Sequence, residues 1–333
     1  MKMVALLCGA LLTAAACSRS IGRSAPRSPH ILDVGELNTE QLRGLDRART
    51  VVLLVGGILE EHGPYLPSYA DGYQSEFLAA GVAEAIVMRP GWTVLRFPPI
   101  PLGAMPANEI GGRFSFPGSY AVRMATLRAV FMDLATDLGD AGFKWILVLN
   151  YHGGPNHNRA LDNAARYFTE TYGGQMLNLA GLTSVADAAP HDLFSQAERA
   201  AEGFSVHADA DEHSRMVFLR PDLVAKGLYH AAPVVGRSFA GLQSIARKDD
   251  WPGYFGTPAI ANAAAGRRGM DALAAAAIDV VLKVLDGAPT SALPRVWDRV
   301  AADPDSKQVI DASLEHDKQI ERKQADWLMH QGP

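Results

Sequence analysis

Short apolar runs alternate with longer stretches of helical period along this chain. Val51 to Val55 is a continuous apolar run with β-branched residues, followed by Gly56 and Gly57. A strand covered on both faces in a parallel sheet reads this way. Thr93 to Ile100, Lys144 to Asn150 and Gly174 to Leu182 are three further strand candidates, the first interrupted by Pro98 and Pro99. Between them, Gly72 to Val87, Tyr120 to Leu138 and Asn158 to Tyr172 carry apolar and small residues at helical spacing. Glu212 to Leu219 and the Ala-rich Ala261 to Leu285 predict two more helices, while Ile110 to Ser119 and Trp251 to Ala259 read as Gly/Pro loops. Ser184 to Phe204 is polar and Ala-rich without a clear period. From Asp305 to Leu328 the chain is charged, with Ile310, Leu314, Ile320, Trp327 and Leu328 near helical spacing. That pattern is an amphipathic helix expected to dock on the body or on a neighbouring subunit. Alternating strands and helices imply an α/β fold with three layers, a mostly parallel sheet flanked by helices, and a C-terminal helical extension. Ligands of such sheets bind outside the carboxyl ends of the strands.

The first residues depart from this pattern. MKMVALLCGALLTAAAC has one Lys, an apolar stretch from Met3 to Leu12 and then small residues up to Cys17, the layout of a bacterial secretory signal. The Ala14-Ala15-Ala16-Cys17 ending resembles a lipobox, so either lipidation of Cys17 or ordinary signal cleavage follows. The expected organisation is a signal peptide at 1–16, a Ser/Arg/Pro-rich tether at 17–29, one main domain at 30–288 and a helical extension at 289–333. The expected location is exported, periplasmic or attached to the outer membrane. Cys8, the only other cysteine, leaves with the signal, so no intramolecular disulfide is available. With 333 residues, 48% of them hydrophobic, the chain can bury a substantial core. Its formal charge of −5, without a basic run, argues against a nucleic-acid partner.

Candidate chemistry gathers at strand ends. Glu60 and His62 are two residues apart, so an extended segment projects them to one side, and Asp71 arrives at the expected start of the next helix. His152 follows a second buried strand and precedes Gly153 and Gly154. Val206 to Ser214, VHADADEHS, crowds His207, Asp209, Asp211, Glu212 and His213 together without the glycine or spacing of an EF-hand. A lone Glu-Glu-His is ordinarily a solvated loop, and an isolated acidic run ordinarily a surface turn. Carboxylate and imidazole without thiolate suit Zn, Mn or Fe rather than Mg or Ca. If Asp71 bridges two ions ~3.5 to 4 Å apart, the pair supplies a hydroxide and polarises a carbonyl. No G-x-S-x-G occurs, which disfavours a serine hydrolase.

In order and combination, these segments resemble the creatininase family. Its Glu-x-His-Gly-Pro-His-Leu-Pro segment is matched by Glu60 to Pro67, with Tyr65 in place of the second His, and its ligand Asp by Asp71. Asn150 to Gly154 resembles its Asn-Gly-His-Gly-Gly motif, and His207 to Ser214 its His-Ala-Gly-x-x-Glu-Thr-Ser motif. Phe116 to Ser119 and Gly256 to Pro258 resemble two more, and the likeness covers about residues 30 to 285. The resemblance implies a creatininase-like fold in which Glu60, Asp71 and His152 hold one divalent ion. His62, Asp71 and a further carboxylate hold the other. In creatininase that carboxylate lies two residues after the motif His, where this chain has Gly154, so Glu212 is the expected substitute. His207 corresponds to a proton-transferring histidine, a role that suits its intrinsic pKa.

The resemblance therefore implies a secreted amidohydrolase with two divalent ions, Zn or Mn with Fe possible, that cleaves a cyclic or non-peptide amide C–N bond in a small molecule. Alternatives are a short-peptide or formamide hydrolase of the same family, or a periplasmic binding lipoprotein that has lost catalysis. Creatininase closes over its substrate with tryptophans, but residues 153–206 contain none, so creatinine is not the expected substrate. Tyr151, Ser119, Asp209 and His213 are the expected substrate contacts, whereas His157 and Asp211 are expected at the surface or behind the ligands. A homo-oligomer, a hexamer by the same resemblance, is the expected assembly.

Overall fold

The computed structural model describes residues 28–331; the signal segment, Cys17 and nearly all of the expected tether lie outside the described residues. In chain order the elements are β1 (Ile31–Asp33), α1 (Thr39–Arg43), β2 (Thr50–Gly57), α2 (Ala70–Val87), β3 (Thr93–Arg96), α3 (Met124–Asp140) and β4 (Trp145–Tyr151). There follow α4 (Pro155–Tyr172), β5 (Gln175–Asn178), α5 (Thr183–Ala186), α6 (Gln196–Glu202), α7 (Ala210–Leu219), α8 (Phe239–Ala246), α9 (Ala263–Leu285), α10 (Val296–Ala301) and α11 (Pro304–Met329). All five strands are parallel, in the order β1-β3-β2-β4-β5.

β2 is buried along its whole length at the centre of the sheet. Its side chains alternate between two cores, as a strand's period of two requires. Val51, Leu53 and Val55 pack with α2 and α9, while Val52 and Leu54 pack with α3 and α4. The three-layer α/β architecture is therefore built from both faces of one strand. Pro155 at the first position of α4 and Gly173 beyond its end, at φ 62°, set the limits of that helix. Asn262 caps α9 by accepting from the Ala265 amide at 2.9 Å.

Several limits differ from expectation for local reasons. β3 ends at Arg96 because Pro98 and Pro99 bring no amide, and pairing resumes where the Ile100 amide donates to the Val55 carbonyl at 2.8 Å. α3 starts at Met124, not Tyr120, because the amides of Tyr120 and Val122 donate to the carbonyls of Leu59 and Gly103, both at 2.9 Å. β5 ends at Asn178 as the chain turns, with the Leu182 amide on the Leu179 carbonyl. In the tail, Val309 and Ile310 are buried and Leu314 packs beside them, whereas Trp327 and Leu328 are each 62% exposed. α11 touches the body as far as the Arg123–Glu321 ion pair at 3.7 Å, and its last turns stand free of it. Among the described residues no helix is long and apolar enough to cross a membrane.

Candidate metal centre

Register at the middle of the sheet brings the ligand-bearing segments together. Gly56 pairs with Asn150 and Gly57 with Tyr151, so the segments leaving β2 and β4 start side by side, one carrying Glu60 and His62 and the other His152. Asp71 comes from the first turn of α2. A Cβ at Gly57 would stand 2.4 Å from the Gly72 nitrogen, so only glycine lets that helix start seat against the strand end. Glu212 comes from the first turn of α7, where Asp209 caps the helix by accepting from the amides of Asp211 and Glu212, both at 3.0 Å.

Two ligand groups result. The atoms offered by Glu60, Asp71 and His152 lie within 4.8 Å of one another, and so do those of His62, Asp71 and Glu212. Asp71 belongs to both, with Oδ2 3.4 Å from His152 Nδ1 and Oδ1 3.8 Å from His62 Nε2. Glu60 Oε2 is 2.9 Å from His152 Nδ1, and Glu212 Oε2 is 3.9 Å from His62 Nε2. A third grouping joins Glu60, His62 and His207, with His207 Nδ1 2.8 Å from Glu60 Oε1.

Each histidine has its other nitrogen against a main-chain carbonyl. His62 Nδ1 is 3.2 Å from the Glu60 oxygen, His152 Nε2 is 2.9 Å from that of Met105, and His207 Nε2 is 2.7 Å from that of Glu61. An N–H donated outward leaves the inward nitrogen as a lone pair, the tautomer a metal requires. His62 Nε2 and Asp71 Oδ2 are buried without a hydrogen-bond partner. Such an orphaned atom costs ~1–3 kcal/mol, a cost that a cation taking the lone pair removes. The donor set thus fits divalent ions of the Zn or Mn type.

Charge in the cluster is tightly paired. Burial would raise the Glu60 carboxyl, but the charges of His152 and His207 hold it well below the usual carboxylate range. Burial likewise opposes a charge on His152, yet Glu60 and Asp71 raise its pKa well above that of free imidazole. Against the same burial, Glu60 chiefly brings His207 to about 10. Asp71 is raised, burial outweighing the two nearby histidines. Glu212 is lowered, because His62 and His207 together outweigh its burial. A cation entering the site replaces protons on these imidazoles, so metal affinity weakens as the pH is lowered.

A cavity of about 800 Å³ opens over Glu60, Asp71, His152, His207 and Glu212. Tyr151 lines it, its hydroxyl accepting from Arg215 Nη1 at 2.9 Å. The other three expected substrate contacts stand behind its wall. The Ser119 hydroxyl donates to the Glu61 carboxylate and accepts from the Glu61 amide at 3.1 Å. Asp209 is committed to capping α7. His213 is fully buried, with Nδ1 2.9 Å from the Asp209 carbonyl and its ring beside Tyr65 and Tyr254. His157 is wholly buried behind His152, with ring centroids 5.1 Å apart, and Asp211 pairs with Arg215.

Three residues escaped the sequence reading. Glu61 is buried beside His207, and burial pushes its carboxyl up to about 7 against the pull of that histidine's charge. Alternation in an extended segment would have turned it away from Glu60 and His62. Arg215 is a buried cation joining Asp211, Tyr151 and Gln74; its position four residues after Asp211 on a helix was the available signal. Met105 acts through its carbonyl, for which a side chain gives no signal.

The family model for creatininase, described as creatinine amidohydrolase, matches residues 35–281. The chain belongs to the creatininase family. A comparison with curated proteins finds no match. Among solved structures, it is similar to a Bacteroides fragilis protein described as a creatinine amidohydrolase, at 23% identity and TM-score 0.58, covering 77% of this chain and 97% of the other. A manganese creatininase matches at 20% identity and TM-score 0.57, and a Zn-Zn creatininase variant at 20% and 0.51; each covers 76% of this chain and 98% of its own. At these identities the structures show a shared fold. Family and ligand groups together support a metal-dependent amidohydrolase. The match to the creatininase family ends before α10 and α11 begin.

Proposed function

We propose that this chain hydrolyses a cyclic or otherwise non-peptide amide C–N bond in a small molecule, with two divalent ions held as Glu60–Asp71–His152 and His62–Asp71–Glu212. The observation that carries this reading is Asp71, whose two oxygens face different histidines. Ions bound there supply Lewis-acid polarisation of the amide carbonyl and a water activated near neutral pH. His207 turns Nδ1 toward Glu60 while Nε2 is tied to the Glu61 carbonyl, so proton transfer to the leaving nitrogen runs through Nδ1. Tyr151, fixed by Arg215, presents its ring to the bound amide. Met105, Ile110, Phe204 and Val206 line the cavity with apolar surface that excludes water from the reacting bond.

Creatinine is not the substrate in this reading, because residues 153–206 lack tryptophan. A cavity near the upper end of the usual 300–1,000 Å³ range favours, as a second reading, a larger amide such as a short peptide. The signal-like N-terminus supports export with lipidation at Cys17, and family membership supports a hexamer. Metal analysis tests the centre: the purified chain should hold about two ions, and Glu60→Ala and His152→Ala should each abolish hydrolysis in a folded protein. Activity retained by both variants, or a chain that neither binds Zn or Mn nor hydrolyses any amide, refutes the reading.

A further inference from the structure

The extension that follows the creatininase match returns to the site. α11 is fixed at several points: the Asp317 carboxylate accepts from the Met124 amide at 2.8 Å, Asn156 Nδ2 donates to the Ile310 carbonyl at 3.4 Å, and the His316 ring stacks on Phe114 at 4.1 Å. Arg299 of α10 is held by both carboxylate oxygens of Asp187, at 2.6 and 3.0 Å. Thus anchored, the extension presents Val300, Ser306 and Val309 to the cavity that contains the ligand cluster. Val309 and Val300 pack with Met105 and Phe239 from the body, and Met105 is the residue whose carbonyl orients His152. An apolar surface supplied by the extension is therefore continuous with the metal centre. The relatives fill 97–98% of their own length with 76–77% of this chain, so the common fold does not depend on it.

We propose that the extension is the selectivity wall of this site, and that Val300 and Val309, with Met105 and Phe239, receive an apolar substituent of the amide substrate. This rests on the reading of the site as a metal-dependent amidohydrolase. At the rim Arg299 is already paired with Asp187, and the residues that the extension packs beside Met105 and Phe239 are the uncharged Val300 and Val309, so the wall selects by apolar contact. A pocket of about 800 Å³ has room for such a substituent beside the reacting amide.

The test uses the full-length, Zn-loaded chain and two metal-chelating probes, acetohydroxamate and 4-phenylbutanohydroxamate, titrated calorimetrically. The wild type should prefer the phenyl-bearing probe about tenfold or more, the value of a few methylenes in an apolar pocket. Ser306→Phe, which fills the space, and Val300→Asp, which makes the wall polar, should lose most of that preference and leave acetohydroxamate affinity unchanged. Gln308→Ala, exposed on the same helix, should keep it. Ser306→Phe carries the test alone if Val300→Asp does not fold. A wild type without the preference, or variants that keep it while melting like wild type, overturns the proposal. Acetohydroxamate affinity that survives both Glu60→Ala and His152→Ala instead overturns the reading of the metal centre, so the two failures are distinguishable.

Discussion

His152 is oriented by a backbone group: its Nε2 lies 2.9 Å from the carbonyl oxygen of Met105, a residue that itself stands at φ 60°. A non-glycine residue in the left-handed region costs ~1–2 kcal/mol, and this one turns its carbonyl to the imidazole while its side chain packs with Val309. A β-branched residue tolerates this conformation least. Met105→Ile should therefore destabilise the fold further and, by turning the carbonyl away from the imidazole, weaken Zn binding roughly 10- to 100-fold, as loss of an outer hydrogen bond to a ligand histidine does. Chelator competition measures the second effect, and wild-type affinity in a folded Met105→Ile would refute the role assigned to the carbonyl.

The two glycines after His152 are not equivalent. A Cβ at Gly154 would stand 2.4 Å from His152 Nε2 and 2.7 Å from the Met105 oxygen, whereas one at Gly153 meets nothing within 4 Å. Any side chain at 154 thus pries apart the bond that orients His152, and the carboxylate that stands within reach of His62 and Asp71 is Glu212 on α7. Gly154→Ala should lower metal affinity by about tenfold or more, and Gly153→Ala should leave it unchanged. Equal effects from the two substitutions would remove the steric argument.

His207 lies within ligand reach of Glu60 and His62 and is also the group assigned to proton transfer. Its two roles predict different losses. If it moves protons, His207→Asn should keep both ions and lower kcat by roughly 10²- to 10⁴-fold with little change in KM. Elemental analysis beside kinetics decides: a variant that has lost one ion makes His207 a ligand.

The sheet was legible because buried strands obey short-range rules, whereas the candidate ligands beyond Glu60, His62 and Asp71, Glu212 above all, were reached through the resemblance to family motifs. Val51 to Val55 has the β-branched, continuous apolar signature of a buried strand, and the alternation of Glu60 and His62 together with the position of Asp71 anticipated their convergence. β1 and α1 were missed because three and five residues give too few periods to count. The strand expected from Thr93 was overextended because Pro98 and Pro99 end its ladder, whereas the helix expected from Tyr120 starts late for another reason. There the amides of Tyr120 and Val122 find partners in neighbouring segments, a choice that depends on the assembled fold. Ser119, Asp209 and His213 matched family positions, but which side of the cavity wall a matched residue occupies follows from caps and packing. The approach of Val309 to Met105 was invisible for a similar reason, since 203 residues of chain separate a contact made by the docking of α11.

His157 predicts a pH dependence of stability whose sign follows from its burial. It has no exposed surface, its Nε2 donates to the Asn150 carbonyl at 3.0 Å, and the Ala104 amide lies 3.4 Å from its Nδ1. Burial first, and then the charge of His152, lower its pKa from 6.5 to about 3. Below pH ~6.5 the unfolded chain takes up a proton here that the native state refuses, so stability must fall as pH falls through that window. The slope is ~1.4 kcal/mol per pH unit from this residue, and it flattens only near the folded value of about 3. His213, lowered by burial to about 4, adds to the loss with the same sign. Denaturant unfolding of metal-free wild type and His157→Asn between pH 6.5 and 4 isolates the effect, because proton uptake by the other groups is shared. The wild type should lose stability more steeply than the variant on acidification; parallel curves would show that His157 is already protonated in the native state.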